Sequence, residues 1–263
     1  MNETQFAGVP VLQAAGEPSV VGNWWDAVAA GFSRGSLLHP EPMPVMLIIA
    51  VAVGLAVFRP TWRWFGLYVT FVHELGHAFA ALTTGRVVKG IHLNFDHSGQ
   101  MTSLGRTRRG AAWAGFWGYP APALVGAVLV WSACAGWAGA AMSLGALILL
   151  AALLFIRNLA GVLIAVGCAV VAQLLVMFTP KEAIAYVVLA LGIALLVGSV
   201  KDWFKVLSVH VGRRHHVQSS DAYILYRTTG VPSAVWLTGF AVVVAACAGF
   251  AFATLGDAVV SYA

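Results

Sequence analysis

The chain has 263 residues, of which 60% are hydrophobic and only 10% are charged. A soluble globular domain has about 25% charged residues, so the composition excludes an ordinary soluble domain and indicates a membrane protein. The net charge of +5 could suggest a nucleic acid partner. However, the lysines and arginines lie in short connections between apolar stretches, where they orient a chain in a membrane. We therefore expect no nucleic acid partner.

Seven stretches are apolar and long enough to approach the roughly 20 residues that a helix needs to cross a bilayer. The first is short and lies between Pro44 and Pro60, so it is tilted, interfacial or longer than its apolar core. The sequence thus predicts an all-α polytopic membrane protein with six or seven transmembrane helices. The predicted spans are 45–59, 64–84, 110–134, 138–156, 158–178, 183–200 and 231–255.

The N-terminal part is of mixed polarity and lacks the basic start, apolar run and small-residue cleavage site of a signal peptide. We interpret residues 1–44 as a cytoplasmic segment and residues 45–256 as a single transmembrane domain. Three cysteines lie inside apolar stretches without metal-type spacing and are interpreted as core residues: Cys134, Cys168 and Cys247.

Two connections are rich in positive charge, 86–109 and 201–216. Such connections face the cytoplasm, and the four predicted spans between them, an even number, put both on one side. The same count puts the uncharged stretch near Gly136 outside. It also puts the N-terminus in the cytoplasm and the C-terminus outside, provided that the first span crosses the membrane.

The first basic connection also carries a hairpin pattern. Residues 87–95 and 100–104 are rich in β-branched and apolar residues and flank the turn sequence DHSG. We predict a small β-hairpin over about 86–105, and a basic loop over about 201–218 later in the same domain. The exposed edge of such a hairpin can pair with an extended peptide.

Residues 66–85, GLYVTFVHELGHAFAALTTG, are apolar apart from His73, Glu74 and His77. Residues four apart share one face of a helix, so both imidazoles can bind one metal ion while Glu74 projects alongside toward a metal-bound water. Zinc held by three protein ligands keeps one position open and activates water there. Glu74 can then take the water proton and pass it to the leaving amine. Because ionisable side chains inside a span are costly, we predict a metal site with Glu74 as catalytic base.

A tetrahedral zinc site needs a third protein ligand from elsewhere in the chain. Asp221 stands apart, because it follows two serines at a predicted helix start that leads into the last span and could present it toward mid-membrane. Its alternative role is a helix-capping carboxylate at the surface. The other carboxylates considered are Asp26, Asp96, Asp202, Asp257, Glu41 and Glu182. Four histidines are predicted not to be ligands: His92, His97, His215 and His216.

Two further sites are unusual for a lipid-facing helix. The sequence GYPAP at 118–122 interrupts the third predicted span, and Arg157-Asn158 lies between the fourth and fifth. Prolines there free backbone carbonyls, which is tolerated where a helix lines a cavity or packs on its neighbours. Tyr119 and Asn158 are therefore candidate substrate contacts, with helix kinking and snorkelling as the alternatives.

With HELGH in a span, a hairpin after it and a late aspartate, the chain resembles the site-2 protease family of intramembrane zinc metallopeptidases, and more narrowly its compact bacterial branch. The resemblance covers about residues 64–236, including HELGHAFAALTTGR, GYPAPAL, RNLAG and SSDAYILYRTTGVPSAVW. It implies one zinc ion bound by His73, His77 and Asp221, with Glu74 activating water. The family's usual aspartate motif ends in Leu-Asp-Gly, whereas this chain has Ser-Ser-Asp-Ala.

The resemblance implies an intramembrane zinc endopeptidase of a bacterial plasma membrane. It would cut a membrane-embedded or juxtamembrane segment of another membrane protein near the cytoplasmic face, with the hairpin edge holding the unwound substrate. Neither an oligomeric state nor a PDZ-type or CBS-type appended domain is indicated.

Two other functional classes stay open. One is a non-catalytic membrane protein of the same fold that keeps the metal site for structure or partner binding, and an intact Glu74 argues against it. The other is a metal transporter, in which paired intramembrane histidines form a transit site. Few polar residues recur along successive spans, which argues against transport.

Overall fold

The computed structural model describes residues 26, 29, 32–96, 98–212 and 214–260, without the side chains of 214–216. Most of this chain is helical, with one small β-hairpin. The elements from residue 42 onward are α1 (Pro42–Val57), α2 (Arg59–Thr83), β1 (Val87–Leu93), β2 (Gly99–Leu104), α3 (Arg108–Phe116), α4 (Pro120–Cys134), α5 (Ala138–Ala152), α6 (Leu159–Phe178), α7 (Lys181–Val211), a 3-10 helix (Arg214–Ser219), α8 (Asp221–Thr229) and α9 (Ser233–Val260).

Three helices of the described chain are long and apolar enough to cross a membrane, namely α6, α7 and α9. The number rises to five if the bent pairs α1–α2 and α3–α4 each form one span. Helix α5 is apolar but has only 15 residues. The predicted helical membrane fold with a small hairpin is therefore confirmed in outline, whereas the count of six or seven spans stays a prediction.

Prolines mark both bends. Pro60 lies in the first turn of α2, and the extended backbone of Phe58 separates that helix from α1 at an angle of 98°. Pro120 and Pro122 lie at the start of α4, which makes an angle of 53° with α3. A proline in the first helical turn removes an N–H that has no partner within the helix, so each new helix begins without losing a hydrogen bond.

Helices α4 and α7 form the centre of the bundle, with α9 packed on α4 and α1 packed on α7. Gly126 and Gly192 face each other so closely that a Cβ at either position would lie 2.8 Å from the carbonyl oxygen of the other. Between membrane helices, small residues of this kind let the backbones approach and gain van der Waals contact. Val130, Val188 and Leu189 are almost completely buried in the same core.

The hairpin follows α2 as predicted, with β1 and β2 paired antiparallel. In its turn, Asp96 Oδ1 accepts hydrogen bonds from the backbone N–H and the hydroxyl of Ser98, at 2.9 Å and 2.6 Å. The apolar face of β1 is buried among α2, α3, α5 and α6. The hairpin is thus packed onto the bundle rather than extending into solvent.

The outer edge of β1 is occupied by the segment between α5 and α6. The Ile91 N–H donates to the carbonyl of Phe155 (2.8 Å), and the Ile91 carbonyl accepts from the N–H of Arg157 (3.0 Å). Asn158 extends this pairing, because its Oδ1 accepts from the Leu93 N–H (3.1 Å) and its Nδ2 donates to the Leu93 carbonyl. This arrangement leaves β2 as the hairpin edge that runs past α2.

The segment before α1 lies at the opposite end of the bundle from the hairpin. The Gly35 N–H donates to the carbonyl of Gly136 (2.8 Å), which puts this segment beside the turn between α4 and α5. Helix α1 then runs along α7 as far as Ala56, whose carbonyl accepts a hydrogen bond from Lys201. The 98° bend sends α2 across the bundle instead of back along it.

This path bears on the expected side of the N-terminal segment. Residues 1–44 were expected on the same side as the basic connections, and the described part of that segment from residue 32 lies beside the turn between α4 and α5. If the bent pair α1–α2 forms one span, one passage rather than two precedes the hairpin. The cytoplasmic location of residues 1–44 stays a prediction. Most of residues 1–31, and His97, lie outside the described residues.

We expect single cysteines at Leu37 and Val211 to be labelled from opposite sides of the membrane. Both side chains are exposed. Leu37 lines a cavity with the first residues of α7, whereas Val211 is the last residue of that helix. The measurement is labelling of Leu37→Cys and Val211→Cys by a membrane-impermeant maleimide in right-side-out and inside-out vesicles, in a background without native cysteines. Detergent-solubilised samples are the control for reactivity. Labelling of both positions from the same side would contradict the path of α1 and α2.

Candidate metal centre

Three potential ligand atoms from two helices converge at one point. His73 and His77 lie one turn apart on α2, and Asp221 is the first residue of α8. The two Nε2 atoms are 3.1 Å apart, and Asp221 Oδ2 lies 3.1 Å from Nε2 of His73 and 3.3 Å from Nε2 of His77. These atoms form a nearly equilateral triangle of two imidazole nitrogens and one carboxylate oxygen.

The triangle has the dimensions of a zinc site. Zinc binds histidine nitrogen and carboxylate oxygen at about 2.0–2.2 Å, so the ligand atoms of such a tetrahedron are about 3.3–3.6 Å apart. The three observed separations are 3.1, 3.1 and 3.3 Å, at or slightly below this range. Two imidazoles with a carboxylate also suit zinc chemically and leave the fourth tetrahedral position open. The residues present therefore fit the metal.

A backbone carbonyl orients His77. Its Nδ1 lies 2.7 Å from the carbonyl oxygen of Ala114 on α3. Because that oxygen can only accept, Nδ1 carries the proton, and the lone pair of Nε2 points into the triangle when the ring is neutral. Histidines that bind metals usually donate their other N–H in this way, which fixes both the tautomer and the ring plane.

Helix capping explains how Asp221 reaches the imidazoles. Ser220 is the N-cap of α8, since its hydroxyl accepts a hydrogen bond from the N–H of Tyr223 (3.2 Å). The Ser220 hydroxyl also lies 2.7 Å from Nε2 of His210 at the end of α7. Because Ser220 performs the capping, the Asp221 carboxylate is free to point toward α2 rather than act as the cap itself.

The electrostatic surroundings keep Asp221 negatively charged. Burial by itself would raise the pKa of the Asp221 carboxyl, but the neighbouring His77 and His73 lower that pKa below its ordinary value. An ionised carboxylate is the form that binds a cation.

Glu74 lies beside the triangle and is not one of its three atoms. The residue is only 5% exposed. The beginning of β2 packs directly on it, so that a Cβ at Gly99 would lie 2.5 Å from Glu74 Oε1. The hairpin therefore covers Glu74 and orients its carboxylate.

A polar cleft of about 330 Å³ contains the site. It lies between α2, the start of β2, Tyr119 before α4, the C-terminal half of α7 and the residues just before α8. Its lining residues are Trp62, Thr70, His73, Glu74, Ser98, Gly99, Tyr119, Asp202, Lys205, Ser219 and Asp221.

The predicted site residues thus separate into two groups. His73, His77, Glu74, Asp221 and Tyr119 are brought together, with the Tyr119 ring edge-on to His73 at 4.8 Å between centroids. Asn158 lies elsewhere and uses its amide to hold β1.

The remaining carboxylates and histidines can be placed as well. Among the carboxylates weighed as third ligands, Asp221 is the one grouped with the imidazoles in the described chain. Asp202 lines the cleft without belonging to that group. His92 is paired with Gln100 in the hairpin. The side chains of His97, His215 and His216 lie outside the described part of the chain.

Sequence reasoning missed two glycines that make room for the site. A Cβ at Gly118 would overlap the His77 ring and lie 2.7 Å from Nε2 of His73. Gly99 has the same relation to Glu74. The signal that was available is position: Gly118 opens the GYPAP break, and Gly99 ends the hairpin turn. Neither could be linked to the site without knowing which elements approach α2.

The family model described as Peptidase M50B-like matches residues 46–251, a range that includes the HELGH motif, the hairpin and Asp221. No curated protein and no solved structure gives a significant match.

We expect Gly118→Ala to reduce zinc binding at least tenfold, because the added methyl group must push His73 and His77 out of the positions that form the triangle. The measurement is the zinc dissociation constant of the purified protein, obtained by competition with a chelator. Gly167→Ala on α6 is the matched control, since a Cβ there meets no atom within 4 Å. Unchanged zinc affinity in Gly118→Ala would show that the metal does not bind between these imidazoles.

Proposed function

We propose that this protein, which belongs to the Peptidase M50B-like family and so to the site-2 proteases, is an intramembrane zinc endopeptidase. It hydrolyses a peptide bond in or next to a transmembrane segment of another membrane protein. The observation that carries this proposal is the triangle of His73 Nε2, His77 Nε2 and Asp221 Oδ2 beside a buried Glu74. The matched region 46–251 supports treating residues 45–256 as one metallopeptidase domain.

His73, His77 and Asp221 are the proposed zinc ligands. When bound, zinc supplies a Lewis acid that polarises the substrate carbonyl and makes water a stronger acid. The protein's part is to hold the two imidazoles in the required tautomer and orientation, through Ala114 for His77 and through Tyr119 packing for His73. Placing the ligands on two helices, α2 and α8, makes metal binding depend on the folded bundle.

Glu74 is the proposed general base and acid. Its carboxylate takes a proton from the attacking water as the C–O bond forms, and returns that proton to the leaving nitrogen as the C–N bond breaks. The start of β2, packed directly on the carboxylate at Gly99, holds it in place. Its burial under β2 limits the access of bulk water. The proton that Glu74 takes up therefore passes to the leaving nitrogen rather than to solvent.

The substrate is proposed to bind as an extended strand along β2. A helical segment hides its peptide bonds in internal hydrogen bonds, so it must unwind before cleavage, and an open sheet edge can take up the freed backbone groups. The edge of β1 is occupied by residues 155–157, whereas Ser98 and Gly99 at the start of β2 line the cleft. The edge of β2 therefore begins beside Glu74. Asn158, whose side-chain amide forms hydrogen bonds with the Leu93 backbone, is proposed to stabilise the hairpin rather than to contact substrate.

The same arrangement supports cleavage near the cytoplasmic face of a bacterial plasma membrane. Lys205 lines the cleft and belongs to the second basic connection, which the positive-inside rule puts in the cytoplasm. The chain is an integral membrane protein, and the proposed substrate shares its bilayer.

We expect Glu74→Gln to keep one zinc ion per chain and to lower cleavage by at least about a hundredfold, since it removes the base without removing a ligand. His77→Ala and Asp221→Ala should lose the zinc. The measurements are the metal content of the detergent-purified proteins and cleavage of a model transmembrane substrate. Asp202→Asn is the matched carboxylate control for metal content, because Asp202 lines the cleft outside the ligand group.

Three outcomes separate the alternatives. Full zinc in Asp221→Ala would show that the third ligand is another residue. Stoichiometric zinc in the wild type without cleavage of any transmembrane substrate would favour the non-catalytic role. Wild-type protein that purifies folded but without zinc, and does not bind it on addition, would overturn the proposal.

A further inference from the structure

We propose that Tyr119 is a catalytic residue, whose hydroxyl donates a hydrogen bond to the carbonyl oxygen of the scissile peptide as negative charge develops there. The inference rests on the proposed peptidase function and assigns a specific step to one side chain of this chain. Two features of Tyr119 carry it, namely a ring fixed by packing and a hydroxyl without a partner in the described chain that lines the cleft beside Glu74.

Aromatic packing holds the ring in one orientation. Tyr119 stacks on Phe240 of α9, with centroids 5.2 Å apart and ring planes inclined by 25°. Phe240 is completely buried and packs in turn against Phe116 at 5.3 Å. On its other side Tyr119 meets His73 nearly at right angles, with centroids 4.8 Å apart. The ring is therefore held between α9 and a proposed metal ligand, in the gap between α3 and α4.

The hydroxyl has no partner in the described chain. It makes no hydrogen bond to a described residue. It is also not among the fully buried polar atoms that lack a partner, so the hydroxyl keeps some exposure to solvent. Tyr119 lines the same cleft as His73, Glu74 and Asp221. A phenol in the interior of a membrane protein normally bonds to a neighbour. An unpaired donor that opens into the cleft is therefore available to a ligand.

The position of Tyr119 suits a donor to the reacting carbonyl. Its ring contacts His73, a proposed metal ligand, and the residue lines the cleft that also contains Glu74. A phenol hydroxyl held at this place is suited to stabilising an oxyanion.

The step balances without any further reactant. The water oxygen bonds to the carbonyl carbon, the carbonyl π electrons move onto the carbonyl oxygen, and Glu74 takes the water proton. The Tyr119 O–H donates a hydrogen bond to that oxygen and keeps its proton. On collapse the C–N bond breaks and the nitrogen takes the proton from Glu74, which yields a carboxylic acid and an amine. A donor fixed in advance toward the developing charge stabilises the transition state more than the ground state.

Tyr119→Phe tests the assignment, because it removes only the hydroxyl and keeps the ring that packs on Phe240 and His73. We expect kcat to fall about a hundredfold, the size typical of losing one oxyanion donor, while KM and zinc content stay unchanged. Tyr186→Phe is the matched control. It makes the same chemical change near the start of α7, where Tyr186 lines a separate cavity with Ser33 and residues 35–39, and it should leave kcat unchanged.

A second readout does not depend on turnover. A phosphinic peptide imitates the tetrahedral arrangement at the scissile carbon, and its Kd can be measured by tryptophan fluorescence. We expect Tyr119→Phe to weaken its binding by a factor close to the loss in kcat. Binding of the uncleaved substrate should be equal in Glu74→Gln and in Glu74→Gln combined with Tyr119→Phe, because the ground state lacks the charged oxygen.

The outcomes distinguish this inference from the proposed function. If the wild type cleaves substrate and Tyr119→Phe matches it in kcat, or if Tyr119→Phe raises only KM, the assignment of Tyr119 is wrong and the peptidase proposal stands. Loss of zinc from Tyr119→Phe would make Tyr119 a positioning residue for His73, which also overturns the assignment. A wild type that binds zinc but cleaves nothing would remove the premise and overturn both.

Discussion

The meeting of α2 and α8 at His73, His77 and Asp221 is the interaction on which the rest of this structure depends. Ionisable side chains inside an apolar bundle are costly unless they have partners. Here two imidazoles and a carboxylate are each other's partners, with nitrogen to oxygen distances of 3.1 and 3.3 Å. One helix carries both histidines and a second helix supplies the aspartate, so the surrounding elements must hold these helices together.

Glycines and prolines around α2 provide that arrangement. Gly76 lets α2 lie directly on the Trp117 backbone and the Ala121 side chain, while Gly118 leaves room for the two imidazoles. The prolines at the start of α4 break the span at the level of the metal centre, and Tyr119 enters the cleft at that break. The hairpin then covers Glu74 from the other side. The polar cleft is thus built from irregular backbone that lines a cavity, which is where a membrane protein can tolerate it.

The motif helix could be read from the sequence because the chemistry is local. HELGH puts His73, Glu74 and His77 on one helix, and helical spacing alone predicts that both imidazoles reach one metal. The hairpin was equally local, since two β-branched stretches flank a turn. Asp221 was harder, because a serine-serine-aspartate sequence fits either a capping carboxylate or a ligand. Contact with the imidazoles, with Ser220 as the cap, favours the ligand.

The errors and omissions concern relations between distant elements. Hydropathy could not show that α1 and α2 meet at 98°, so two separate spans were predicted where the structure has a bent pair of helices. The roles of Gly99 and Gly118 depend on which helix approaches them. Asn158 could be recognised as unusual in a membrane segment, but its bonds to the Leu93 backbone depend on β1, 65 residues away.

X-ray absorption spectroscopy of the zinc-loaded, detergent-purified protein is the most direct test of the central claim. The expected spectrum shows nitrogen and oxygen ligands at about 2.0–2.2 Å, together with the outer-shell scattering of two imidazoles. A sulfur ligand at about 2.3 Å, or a spectrum with no imidazole contribution, would mean that zinc binds elsewhere and that the meeting of α2 and α8 is not a metal centre.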